Sequence, residues 1–155
     1  MILKTRIVNT AALPLKAYVK ENNFKLFMFD VGILGALSEI NPSTILNYDY
    51  GSYKGFVAEN YIAQAFTFSS TSQLYSWVEN TAEVEFVREI AGEIIPIEVK
   101  SGWVTQAKSL YVFAQKYHPP YRVIMSAQPL LMDSQTKLQK IPLYLAELFP
   151  FSKHS

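Results

Sequence analysis

The sequence predicts an α/β domain in which a central mixed sheet is flanked by helices, with the element order α-β-β-β-α-β from Tyr53 onward. Three observations carry that expectation. Apolar residues recur at helical spacing across 53–68, three short strand-like runs follow between Leu74 and Lys100, and a second helical pattern ends at a Pro pair before a β-branched run.

Taken in order, Ile2 to Val8 alternates as a strand, and Asn9 to Leu15, with Pro14, reads as a turn. Phe24 to Phe29 is a short apolar strand. Asp30 then offers a carboxylate to the free N–H groups of a short helix reaching Leu37, which Asn41-Pro42-Ser43 breaks. Ser52 is placed to cap the helix of Tyr53 to Phe68, with Phe56, Asn60 or Tyr61, Ala63 and Phe66 at helical spacing. Leu74 to Val78, Glu83 to Ile90 and Glu93 to Lys100 are the three strands. Gly102-Trp103 turns the chain, and Thr105 is the expected cap of a helix whose apolar side holds Leu110, Phe113 and Ala114. His118-Pro119-Pro120 stops that helix, Tyr121 to Ser126 forms a strand, and Ile141 to Phe149 is a short amphipathic end segment.

Composition narrows the function classes. Half of the 155 residues are hydrophobic and only 17% are charged, with 10 Phe, 10 Tyr and 2 Trp, which favours a packed core over disorder. The absence of Cys excludes disulfide scaffolds, thiolate zinc sites and Cys nucleophiles. No secretory signal opens the chain, and the longest uncharged run, Tyr61 to Val78, is too polar to span a bilayer, so a cytoplasmic protein with no membrane partner is expected. Neither His118 nor His154 has a metal-like partner spacing, Trp77 and Trp103 read as core or rim packing, and no nucleophile-elbow pattern supports a serine hydrolase.

The formal net charge of +1 conceals an uneven distribution. Glu79, Glu83, Glu85, Glu89, Glu93 and Glu98 crowd one hairpin against Arg88, while Lys108, Lys116, Arg122, Lys137, Lys140 and Lys153 dominate the last third. If Ala91-Gly92 forms the hairpin turn, Ile90 opposes Glu93, Glu85 opposes Glu98, and Glu83 opposes Lys100. Strand alternation then puts Glu85, Glu98 and Lys100 on one face and Val84, Phe86, Ile97 and Val99 on the other. Directly opposed residues have Cβ atoms about 5 Å apart, so two carboxylates there repel. Lys100, a raised pKa or a divalent cation would offset that repulsion, and an all-oxygen donor set suits Mg²⁺ or Mn²⁺ better than zinc. A solvated acidic hairpin face is the plainer reading of the same pattern.

Three segments then match a known pattern. Gly55-Phe56-Val57-Ala58-Glu59-Asn60-Tyr61, Ala82-Glu83-Val84-Glu85-Phe86-Val87 and Ile95-Pro96-Ile97-Glu98-Val99-Lys100-Ser101 resemble the core of the PD-(D/E)xK, restriction-endonuclease-like superfamily. More narrowly, the chain resembles the uncharacterised C-terminal module of prokaryotic AAA+-type ATPases. That likeness extends to Leu13–Tyr18, Phe24–Leu34, Ala107–Leu110 and Ile141–Tyr144, nearly the whole chain.

The resemblance implies a restriction-endonuclease-like αβββαβ core over 51–155, with 1–50 an extension like the end of a winged-helix or linker region. It implies that Glu98 and Lys100 are the E-x-K pair and that Glu85 stands at the metal-binding Asp position, one methylene longer. Glu59 would be the helix carboxylate completing a Mg or Mn site. Lys108 is a weaker candidate for a phosphate contact. The implied activity is metal-dependent phosphodiester hydrolysis of DNA, and the implied partners are nucleic acid and an ATPase domain in cis or in trans. The sequence contains no G-x-x-x-x-G-K-[ST], so no ATP site is expected in this chain, which reads as the C-terminal portion of such an ATPase. The alternative is a catalytically inactive module that binds nucleic acid or protein, or packs on an ATPase in a regulatory role.

Overall fold

The computed structural model describes residues 1–47, 51–70, 73–103 and 106–151. Among these, eight strands form one mixed sheet: β1 (Ile2–Val8), β2 (Val19–Met28), β3 (Leu74–Glu79), β4 (Ala82–Ile90), β5 (Glu93–Val99), β6 (Arg122–Ser126), β7 (Leu131–Asp133) and β8 (Leu138–Pro142). The spatial order is β2-β1-β3-β4-β5-β6-β8-β7. The β1–β3, β5–β6 and β6–β8 pairs are parallel, and the remaining neighbours are antiparallel. The helices are α1 (Val31–Leu37), α2 (Pro42–Leu46), α3 (Tyr53–Ser69) and α4 (Lys108–Tyr117), with short 3-10 turns at Leu15–Tyr18 and Leu143–Leu148.

The α/β class and the α-β-β-β-α-β order are those expected, realised as α3-β3-β4-β5-α4-β6. Two apolar clusters explain the layering. On one side of the sheet, Ile62, Ala63 and Phe66 of α3 pack with Phe86, Ile95, Ile97 and Val99, and Ala146 and Phe149 close that layer. On the other side, Leu110 and Phe113 of α4 pack with Trp77, Val84, Val87 and Ile124, joined by Val8, Ala11 and Leu15. Trp77 is fully buried, edge-on to the rings of Phe113 and Tyr117. The first 28 residues supply β1 and β2 to this same sheet.

Several local expectations change. Asp30 caps α1 through Oδ1, which accepts the Ile33 amide at 3.0 Å. Asn41-Pro42-Ser43 does not only break a helix: Asn41 caps α2, with Pro42 at its first turn, where a missing N–H costs nothing. Ser52 has helical backbone angles and makes no side-chain cap bond. The expected Thr105 cap lies outside the described residues, and α4 begins after Ala107. His118 closes α4 in the left-handed conformation at φ 48°, a C-terminal geometry that His tolerates better than β-branched residues. Strands β7 and β8 are additional to the sequence reading. Among the described residues, no helix is long and apolar enough to cross a membrane.

Candidate active site

The β4–β5 hairpin turns on Ala91 and Gly92, both at positive φ (53° and 80°), the backbone of a two-residue hairpin turn. The pairing from Ile90–Glu93 to Phe86–Ile97 has the register expected from the sequence. Toward the open end of the hairpin, β4 changes. Between the Tyr75–Val87 and Trp77–Val84 pairs, two residues of β4, Glu85 and Phe86, stand against one of β3, Ser76, which makes a β-bulge. The bulge overturns one expected grouping. Phe86, Ile97 and Val99 face α3, but Val84 packs with the α4-side cluster.

The bulge also re-aims the carboxylates. The Val84 carbonyl accepts the buried Ser76 hydroxyl at 3.0 Å, and the Val99 amide donates instead to Glu85 Oε2 at 3.3 Å. Glu98, on the adjacent strand, is buried at 4% exposure. Its Oε1 lies 2.6 Å from Lys100 Nζ, and its Oε2 has no hydrogen-bond donor. Glu83 leaves the expected pairing with Lys100: its carboxylate meets Lys25 of β2, and its amide donates to Ser109 Oγ at 3.2 Å. Lys25 Nζ also lies 3.8 Å from Glu59 Oε2 on α3.

Asn60 explains how β2 and α3 come to share the site. Its buried amide accepts the Met28 N–H at 2.8 Å and donates to the Met28 carbonyl at 3.0 Å, pinning the end of β2 to the helix. Gln64, one turn on, accepts the Val31 amide at 2.8 Å. With β2 docked on α3 in this way, Lys25 comes within reach of Glu59.

These groups line one cavity of about 670 Å³. Its polar wall is Glu59, Glu83, Glu85, Glu98, Lys25 and Lys100, and its apolar wall is Leu26, Phe27 and Phe56, with Ser109 at the α4 side. All four expected carboxylate and lysine positions, Glu59, Glu85, Glu98 and Lys100, therefore meet. Lys108 is exposed at the first turn of α4 and does not line the cavity, whereas its neighbour Ser109 does. Lys25, Leu26, Phe27, Phe56, Glu83 and Ser109 are the lining residues that sequence reasoning did not assign to the site. A lone Lys inside the apolar run Phe24 to Phe29 was the one available signal for Lys25.

The electrostatics follow from this packing. Burial, then the Glu98 charge, push the Glu85 carboxyl up to about 8; a bond from its own backbone opposes this, and hydrogen bonding to Glu98 reinforces it. Burial also raises Glu59, with Lys25 opposing. Burial alone would lower Lys100, but the Glu98 hydrogen bond and the charges of Glu98, Glu85 and Glu59 outweigh it and hold the ammonium above its usual value. A proton on Glu85 gives Glu98 Oε2 the donor it lacks, and a hard cation between the two carboxylates would satisfy the same oxygens.

That donor chemistry fits a divalent cation at Glu85 and Glu98. Among the described residues, however, no three His, Asp or Glu side chains converge as a metal-ligand set, and Glu59 is engaged with Lys25.

In sequence comparisons, the family model described as "Domain of unknown function (DUF4143)" matches residues 52–144, more than half of the chain and every element from α3 through β8. No curated protein and no solved structure matches it.

Proposed function

The chain belongs to the family described as Domain of unknown function (DUF4143), and on that premise we propose that its cavity is a Mg²⁺- or Mn²⁺-dependent nuclease site of the PD-(D/E)xK kind, acting on DNA. Membership is consistent with the ATPase-associated C-terminal module that the sequence resembles, so an AAA+-type ATPase domain, in cis or in trans, is the proposed protein partner. The observation that carries the reading is the adjacent Glu85 and Glu98 carboxyls beside Lys100, with one buried carboxylate oxygen left without a donor.

Glu85 and Glu98 would hold the cation. When bound, it supplies Lewis-acid polarisation of the scissile phosphate and offsets negative charge there. Lys100, oriented by Glu98, presents a fixed ammonium to the charge that grows on the phosphate oxygens in the transition state. Lys25, on β2, adds a second ammonium to the cavity wall, paired with Glu59 and Glu83 and placed to exchange one of them for a phosphate. The reaction adds water across one phosphodiester bond. Water oxygen joins phosphorus, the P–O bond to the leaving sugar oxygen breaks, and that oxygen takes up a proton.

The test pairs metal titration with cleavage. Wild-type protein is expected to bind Mn²⁺ calorimetrically and to cut linear or branched DNA. Glu98→Ala is expected to lose both, while Lys100→Ala keeps the metal and loses cleavage. Metal binding and cleavage that do not differ between wild type and both variants would overturn the reading.

One observation favours a second reading, a catalytically inactive nucleic-acid- or protein-binding module. With Glu59 drawn to Lys25, two carboxylates rather than three are free for a cation. Binding of DNA without cleavage in either metal would select it.

A further inference from the structure

The apolar wall of the cavity is as distinctive as its acids. Phe56 lies one helical turn before Glu59 and is 63% exposed, and Leu26 beside it is 55% exposed. Helical spacing would place Phe56 in the core, but α3 begins burying its side chains only at Ala58, and the Phe56 ring touches Tyr53 at a centroid distance of 6.0 Å. An exposed ring at the mouth of a charged cavity offers a π-face to something that enters. Lys25 and Lys100 line the same cavity among four carboxylates, so with the divalent cation of the nuclease reading at Glu85 and Glu98 the entering group pairs an anion with a flat apolar body. The volume of about 670 Å³ falls in the ~300–1,000 Å³ range of small-ligand sites and has room for one nucleotide.

Resting on the nuclease reading above, we infer that this cavity takes an unpaired nucleotide, its base stacked on Phe56 against Leu26 and its phosphate directed to Lys25 and Lys100. A base in duplex DNA is already stacked on both faces and presents only its edges in the grooves. Phe56 would then meet sugar and phosphate and gain nothing. An unpaired base has a free face, and stacking on an aromatic side chain is tolerant of sequence. The substrate class is therefore single-stranded or splayed DNA, at ends, flaps or branch points.

The test measures binding of the whole chain to a fluorescein-labelled single strand and to the matching duplex, with Ca²⁺ as the probe ion and strand integrity checked on a gel. A second strand carries one 2-aminopurine to report stacking. The single strand is expected to bind at least about 10-fold tighter than the duplex, a difference of the size of one stacking contact. Phe56→Ala should abolish that preference and the 2-aminopurine quenching, and Phe56→Trp should retain both. Because Phe56 is exposed, both variants should melt like wild type. Equal affinity for the two forms, or an unchanged preference in Phe56→Ala, overturns this inference and leaves the nuclease reading standing. No binding of either form by wild type overturns both.

Discussion

Glu85 takes the place of a backbone carbonyl: its Oε2 accepts the Val99 amide at 3.3 Å across the hairpin, where the bulge has turned the Val84 carbonyl toward Ser76. A carboxylate is thereby held in a partly buried position beside Glu98, and two acids share a space that suits one negative charge. The β-bulge is thus what makes the site, by trading a ladder bond for an aimed side chain.

That arrangement predicts a pH dependence of stability in the metal-free protein. The Glu85 carboxyl is raised to about 8 in the fold from an ordinary value of 4.5. Between those values the native state holds more protons than the unfolded state. The Glu85 contribution to stability is therefore complete below 4.5 and is lost as pH rises through about 8, with a slope of at most ~1.4 kcal/mol per pH unit for one proton. Burial of Glu59 acts in the same direction. The melting temperature is expected to fall between pH 5.5 and 8 in EDTA. Glu85→Gln, which keeps an acceptor for Val99 and adds a donor for Glu98, should flatten most of that fall. A slope unchanged in Glu85→Gln would assign it to other groups.

The hairpin turn carries a removable strain. Ala91 sits at φ 53°, a conformation that penalises a Cβ, while Gly92 beside it does not share the penalty. Ala91→Gly should stabilise the protein by about 0.5–1 kcal/mol, raising the melting temperature by ~2–4 °C, with no change in cation affinity. Destabilisation on chemical denaturation would show that Ala91 makes a compensating contact.

Much of this site could be read before the structure, and the reasons divide by range. The turn at Ala91-Gly92 and the β4–β5 register follow from local alternation, so Glu85, Glu98 and Lys100 could be brought together from spacing. The bulge could not, because it arises from β3, where Ser76 competes for the Val84 carbonyl. The partners of Lys25 were not legible for a related reason, although its place in an apolar run sets it apart. Its contacts with Glu59 and Glu83 depend on Asn60 holding β2 from 32 residues away. The exposure of Phe56 does not follow from its helical spacing, because a helical period says which residues share a face and not where the sheet beneath that face ends. Strand β7, three residues long, is too short to leave a period-two signal.

Asn60 is the joint on which the Lys25 side of the cavity depends. Asn60→Ala removes both bonds to Met28 and leaves that backbone amide and carbonyl without their partners, at a cost of about 2 kcal/mol. Hydrogen exchange should rise at the Met28 amide and at the β2 amides next to it, and remain slow at Ile95 and Ile97 in the centre of the sheet. Uniform acceleration across all strands would mean that Asn60 supports the whole fold and does not specifically dock β2.

Glu59 and Glu98 should contribute unequally to cation affinity, although both line the cavity. Glu98 has one oxygen on Lys100 and one that only a protonated Glu85 serves, so a cation there displaces a proton and breaks no ion pair. Glu59 must first give up Lys25, which also holds Glu83. Glu98→Ala is therefore expected to weaken Mn²⁺ binding by more than about 10-fold, or ~1.4 kcal/mol, and Glu59→Ala by less than about 3-fold. Lys25→Ala should move affinity the other way, because it frees Glu59 and makes the cavity more negative, while its effect on stability stays within the ~0–1 kcal/mol of a partly exposed ion pair. Calorimetric titration of the three variants reads the order directly. Equal losses in Glu59→Ala and Glu98→Ala would mean that the cation pulls Glu59 from Lys25, and that the helix carboxylate is a full ligand once metal is present.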